Sequence, residues 1–256
     1  MNRYDVSFVI PLKNEAESLE TLYRGIVENT TPLGLSFEII FIDDGSTDNS
    51  FDIIKELHKR DSRVRGVRFR RNFGKSSALS AGFKLASGDI VITMDADLQD
   101  DPVEIPRFIE MINKGYDVVS GWKKVRHDPP GKTLPSRLFN KLTSIATGVK
   151  IHDFNCGFKA YRNEVVKSIE IYGELHRYIP ALAYGKGFSV GEIVVTHHPR
   201  KYGRSKYGLE RLFKGFLDLF TVVFLTRFLR RPMHIFGTTG ILLFIIGFII
   251  NLYLVI

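Results

Sequence analysis

Apolar and polar positions change places along the first half of the chain in a repeating order. Short apolar runs, many rich in β-branched residues, stand at DVSFVI (5–10), FEIIFI (37–42), VRGVRF (64–69), DIVITM (89–94) and YDVVSG (116–121). Each has the length and composition of a strand. Between them lie stretches of helical periodicity. NEAESLETLYRGIVEN (14–29) sets Leu19, Leu22, Ile26 and Val27 at helical spacing, with Asn14 and Glu17 as a candidate N-cap and its N3 partner. FDIIKELHKR (51–60), GKSSALSAGFKLAS (74–87) and PVEIPRFIEMINKG (102–115) are the next helices. Strand and helix in alternation predict an α/β fold, a mostly parallel sheet covered on both faces. Ligands of such sheets bind at the carboxyl ends of the strands. KKVRHDPPGKTLPSRLFNK (123–141) reads as a loop running into a helix.

The end of the chain has a different texture. From Ile235 to Ile256 no charged residue occurs. A helix of ~20 residues crosses the ~30 Å hydrocarbon core of a bilayer, and a buried helix of a soluble protein rarely lacks a polar face over such a length. Arg227, Arg230 and Arg231 precede the run, so the positive-inside rule places the preceding domain on the cytoplasmic face. Residues 209–231 are apolar and aromatic but interrupted by Arg211, Lys214, Asp218 and Arg227. They are read as helices lying in the membrane interface, the alternative being a helix packed on the domain. Three segments result: 1–208, 209–233 and a transmembrane helix at 234–256. The sequence stops inside the apolar run, which leaves room for a second span, and the span offers a surface for self-association into a homo-oligomer.

The net charge of +8 over 256 residues suits anionic partners. Cys156, the single cysteine, excludes an internal disulfide and a cysteine-rich metal site. The N-terminus has no signal-peptide pattern.

Three polar clusters fall at one end of the expected sheet: PLKNE (11–15) after the first strand, DDGSTD (43–48) after the second, and DADLQD (95–100) after the fourth. Singly each could be a turn or a helix cap. Together they make one edge rich in carboxylates. Asp95 and Asp97, with Gln99 close by, offer oxygen ligands to a hard divalent cation, Mg²⁺ or Mn²⁺, bound through a few carboxylates and substrate phosphates. HHPRKYGRSKYG (197–208) brings Arg200, Lys201, Arg204 and Lys206 among glycines, as a loop around phosphate would, the alternative being a basic stretch that touches anionic lipid beside the membrane. NFGKSSA (72–78) lacks the upstream glycine of a Walker A loop. Nucleic acid is a poor fit, since no aromatic-basic recognition module is present.

PLKNE, DDGSTD, NFGKSSALSAGFKLASGD, DADLQDDP and DFNCGFKAYR (153–162) together resemble glycosyltransferase family 2. Within it the chain looks most like the polyprenyl-phosphate glycosyltransferases, the dolichol-phosphate mannose synthases and their undecaprenyl-phosphate relatives. The resemblance covers roughly residues 5–208 and the membrane tail. It implies a GT-A fold and inverting, metal-dependent transfer of a hexose from a nucleotide-diphosphate sugar, of GDP-mannose or UDP-glucose type, to a membrane polyprenyl phosphate. On this chain it implies that Pro11, Asn14, Glu15, Asp43 and Asp44 hold the nucleotide, with Asp95. Asp95, Asp97 and Gln99 match the metal motif. Arg177, Arg200 and Lys206 fall where the donor diphosphate is gripped, and Lys123, Arg137 and Asn140 where the lipid phosphate is. Asp97, Lys123 and Arg137 are then the catalytic set. Two departures stand out: Lys13 where an aromatic residue is frequent, and Lys123 where Arg is usual.

A phosphate monoester is already largely anionic near pH 7, with a second pKa of ~6, so the acceptor requires no general base. His127, His152, His197 and His198 are accordingly read as structural or surface residues. Asp153 either orients a phosphate-gripping Arg or the sugar, or caps a turn. Two rival readings remain. A processive polysaccharide synthase usually carries Gln-x-x-Arg-Trp, whereas Trp122 in SGWKK is the only tryptophan here. A catalytically inactive membrane-tethered binding module is disfavoured by the intact Asp95, Asp97 and basic loop.

Overall fold

The computed structural model describes residues 4–124, 130–199, 210–228 and 232–255, with the side chains of 130–138, 210–216, 227 and 235 outside the description. Its elements in chain order are β1 (Tyr4–Leu12), α1 (Ala16–Thr30), β2 (Phe37–Asp43), α2 (Ser50–Arg60), β3 (Val64–Arg68), α3 (Lys75–Leu85), β4 (Gly88–Thr93), α4 (Ile105–Asn113) and β5 (Val118–Trp122). There follow α5 (Pro130–Thr147), β6 (Lys159–Arg162), α6 (Asn163–Ser168), α7 (Ile179–Gly185), β7 (Val190–Val194), α8 (Glu210–Val223) and α9 (Met233–Val255).

The strands form one sheet in the order β3-β2-β1-β4-β6-β5-β7. β1 is parallel to β2 and to β4, and β5 to β7, while β6 runs antiparallel to both β4 and β5. Side chains of the central strands alternate between two cores. Phe8, Ile10, Ile39 and Phe41 face α1, α2 and α4, whereas Val9, Ile40 and Ile42 face α3, α6 and α7. Burial on both faces is why these strands read as continuous apolar runs rather than alternating ones. Strand order reverses beside β1, with β2 on one side and β4 on the other. That is the switch point at which ligands of open α/β sheets bind.

Two expectations need correction. The chain from 153 onward was read only as a motif, yet it enters the sheet as β6, the one antiparallel strand among those described. Asn14 is not the N-cap of α1. The helix begins at Ala16 after Glu15, and the cap makes no side-chain hydrogen bond. Asn14 instead takes a left-handed backbone, φ 55°, and its side chain bonds the neighbouring loop.

Toward the C-terminus α8 buries Leu219 and Val222 in the second core and exposes Leu217 and Phe220. A π-helical turn continues it over Phe224–Phe228. In α9 the stretch Phe236–Val255 is long and apolar enough to cross a membrane, and none of it is buried in the molecule.

Candidate active site

Four loops meet at the switch point. Between β1 and α1, the Asn14 amide donates to Ser46 Oγ at 2.9 Å, and Asn14 Oδ1 accepts from the Thr47 amide at 2.8 Å. The Glu15 amide donates to Ser50 Oγ at 3.0 Å. A short polar side chain tolerates the left-handed backbone this turn demands. Pro11, near the end of β1, is buried opposite Ile42.

The carboxylates after β2 organise the chain around them. Asp43 Oδ1 accepts from the Ser46 amide at 2.7 Å, and Oδ2 lies 3.5 Å from Arg68 Nε. Asp44 takes the Phe73 amide at 2.7 Å with one oxygen and the Gly74 amide at 2.9 Å with the other, fixing the entry to α3. Gly45 between these and Ser46 has φ 71°, and a Cβ there would lie 2.5 Å from the Arg71 carbonyl carbon. Only glycine fits on both counts.

The loop after β4 carries the chemistry. Asp97 is buried, its Oδ1 accepting from the Gln99 amide at 3.2 Å. Leu98 between them is left-handed, φ 60°. Gln99 Nε2 donates to the His198 carbonyl at 3.4 Å, which ties this loop to the approach of the basic segment. Asp95 is paired with the ammonium of Lys75, from the first turn of α3. Burial tends to raise the Asp95 carboxyl, but the charges of Lys75 and Lys123 outweigh it and hold the group far below the usual carboxylate range. His176 stands on the same side: it contributes to that field, and its Nδ1 lies 3.0 Å from Ser76 Oγ.

Lys123, just past β5, pairs with Asp100 at 2.8 Å. Burial works to lower its ammonium pKa. Asp100 more than compensates, and the lysine stays protonated at any working pH. Asn140, on α5, is buried and accepts from the Phe154 amide at 3.4 Å and from Asn155 Nδ2 at 3.3 Å. Asp153 Oδ1 accepts from the Asn155 amide at 3.0 Å. Cys156 is a packed interior residue whose thiol is pushed up to about 12 by burial.

The structure thus brings Asp95, Asp97, Gln99 and Lys123 to one edge. Arg177 pairs with Glu174 at 2.9 Å. The Arg137 side chain, Arg200 and Lys206 lie outside the described residues. His152 and His198 make surface pairs with Glu192 and Asp101, at 2.7 and 2.8 Å. Sequence reasoning missed Lys75, Asp100 and His176. Lys75 stood in a Gly-Lys-Ser dismissed as a failed Walker loop, and Asp100 stood inside the quoted acidic stretch. His176 had no local signal.

Among the described residues no three His, Cys, Asp or Glu side chains cluster as a metal cage. The donor set of two carboxylates and one amide is nevertheless the kind Mg²⁺ or Mn²⁺ uses, since these ions keep waters and take remaining ligands from substrate phosphates.

A mostly parallel sheet with a carboxylate loop at its switch point is an open α/β fold of the ligand-binding kind, and comparison with known proteins narrows it. Residues 7–170 match the family model described as glycosyl transferase family 2. The chain is 38% identical over 255 residues to the dodecaprenyl-phosphate galacturonate synthase of Rhizobium johnstonii, covering 98% of this chain and 75% of that protein. It is 39% identical over 252 residues to the undecaprenyl-phosphate 4-deoxy-4-formamido-L-arabinose transferase of Pseudomonas aeruginosa, covering 98% and 73%. The chain belongs to glycosyl transferase family 2 and is a glycosyltransferase. In fold it is similar to glucosyl-3-phosphoglycerate synthase from Mycobacterium tuberculosis, solved with Mn²⁺, UDP and glucosyl-3-phosphoglycerate. That likeness has a TM-score of 0.63 at 18% identity and covers 88% of this chain and 80% of that one.

Proposed function

We propose that this protein transfers a sugar, with inversion, from a nucleotide-diphosphate donor to a membrane polyprenyl phosphate. The observation that carries the reading is the pair of carboxylate–lysine contacts at one sheet edge, Asp95 with Lys75 and Asp100 with Lys123. One provides for the donor and its cation, the other for a second phosphate. Two relatives named for transfer to dodecaprenyl and undecaprenyl phosphate support the acceptor, and α9 supports a site beside the bilayer. The preceding arginines support a cytoplasmic catalytic domain. The donor is of the GDP-mannose or UDP-glucose type, its sugar open to the uronate or amino-pentose variation seen in those relatives' names.

Asp95, Asp97 and Gln99 would hold Mg²⁺ or Mn²⁺, which when bound offsets the charge that grows on the departing nucleotide diphosphate. Glu15, Asp43 and Asp44 shape the nucleotide pocket. Arg200 and Lys206, in the basic segment that follows His198 in sequence, would grip the diphosphate. The acceptor phosphate is already an anion, so no side chain must remove a proton from it. What it needs is a neighbour that cancels repulsion from the donor. Lys123, permanently charged, supplies this, with Arg137 on α5, and orients the oxygen for in-line attack.

The test uses protein in detergent or native membranes with Mn²⁺, undecaprenyl phosphate and a panel of radiolabelled UDP- and GDP-sugars. Lipid-extractable label that requires both the metal and the lipid is expected. Metal and donor binding with no product from any donor would favour the inactive binding module.

A further inference from the structure

Residues 153–158 link the two halves of the site, and they have little regular structure of their own. Their carbonyls are gathered mainly by side chains of the surrounding strands. Ser120 Oγ donates to the Asp153 carbonyl at 3.1 Å, and Thr93 Oγ1 to that of Gly157 at 2.8 Å. Lys159 Nζ donates to the Phe154 carbonyl at 3.1 Å and also to that of Cys156. Lys159 sits in β6 between Thr93 of β4 and Ser120 of β5, and only 3% of it is exposed. A buried ammonium is costly unless its donors are used. Here it can take two carbonyls from one interior point, which a hydroxyl, with one donor, cannot.

The loop so held presses on the metal motif. A Cβ at Gly157 would lie 2.5 Å from Asp95 Oδ2 and 2.7 Å from Oδ1. The Asp95 carboxylate is therefore confined between the Gly157 backbone and Lys75. Resting on the glycosyltransferase reading above, we propose that Lys159 is a positioning residue for the donor side of the site. By gathering the Phe154 and Cys156 carbonyls it sets Gly157 against Asp95 and fixes that carboxylate for the divalent cation.

The experiment compares the full chain with Lys159→Gln, Lys159→Met and Gly157→Ala. Mn²⁺ affinity in the presence of UDP or GDP is read by electron paramagnetic resonance, and amide hydrogen exchange by mass spectrometry. Lys159→Gln is expected to weaken Mn²⁺ binding by about 10-fold or more, as loss of support for a metal ligand does. Exchange should quicken in 153–158 and stay unchanged in β1–β3. Gly157→Ala should weaken Mn²⁺ equally while Lys159 is intact. Should Lys159→Met fail to fold, Lys159→Gln decides, since its shorter, uncharged amide keeps N–H donors at the buried position. Unchanged Mn²⁺ affinity in folded Lys159→Gln overturns the proposal. So does weakened affinity accompanied by faster exchange throughout the sheet, which marks a merely structural role. If the unsubstituted protein binds no Mn²⁺ with either nucleotide, the metal reading fails instead, and exchange at 153–158 alone decides whether Lys159 holds the loop.

Discussion

Replacing Asp100 by Asn should destabilise the protein far more than its small change in shape suggests. The Asp100 side chain is 0% exposed and that of Lys123 13%, with 2.8 Å between the charged atoms. An exposed pair at this distance contributes about 0–1 kcal/mol. A buried pair that loses one partner leaves the other charge stranded, at a cost of about 3–5 kcal/mol. Asp100→Asn and Lys123→Met should each fall in that higher range. The double variant Asp100→Leu/Lys123→Met strands no charge and should lie within about 1 kcal/mol of the original. Its remaining loss is small, because the Asp95 amide reaches Asp100 Oδ2 only at 3.5 Å, a weak contact. The double-mutant cycle, closed with Asp100→Leu alone and read from denaturant unfolding in detergent, gives the coupling directly. Transfer should nevertheless be absent in the double variant, because the acceptor phosphate has lost its lysine. Single variants costing under about 1 kcal/mol would show that water already screens the pair. A double variant as unstable as the singles would show that the two side chains matter for shape and not for charge.

Four other outcomes are expected. Asp97→Ala should abolish turnover and metal-dependent donor binding in calorimetry; full activity with either metal would remove Asp97 from the ligand set. Arg200→Ala and Lys206→Ala should each slow transfer by about 10- to 1000-fold, for contacts worth ~1.5–3 kcal/mol, with Lys201→Ala milder; equal, small effects at all three would point to a diffuse lipid-facing patch. Deleting residues 232–256 should release the protein from membranes with little change in melting temperature, whereas deleting 209–256 should lower it, because Leu219 and Val222 of α8 lie in the core; equal melting for both would contradict that packing. Asp61, hydrogen-bonded by Arg63, has its carboxyl held down at about 2. Its contribution is therefore complete above the unfolded value of 3.8 and is lost as pH falls toward 2. Asp61→Asn should cost about 1–2 kcal/mol at pH 7 and progressively less as pH falls through 2; a pH-independent effect would refute the assignment.

Much of the molecule was written in local pattern. β1, β2 and β4 were legible because strands buried on both faces must be apolar throughout. Helices α1 to α4 were legible because each buries one stripe, and α9 because a run of that length without charge is apolar enough to cross a membrane. The carboxylates of DADLQD were legible for a related reason, since adjacent acids at a strand end need a cation or solvent. What needed the tertiary structure were relations between distant positions. That Lys75 answers Asp95 and Lys123 answers Asp100 depends on β1 lying between β2 and β4, and on β5 ending at the same edge. The antiparallel β6 was hidden because a four-residue strand carries too little periodicity to declare its direction. Lys159 was hidden for the opposite reason. A lysine in sequence reads as a surface residue, and only the strands on either side of it turn its amino group inward onto the carbonyls it holds, where burial pulls its pKa below the ordinary lysine value.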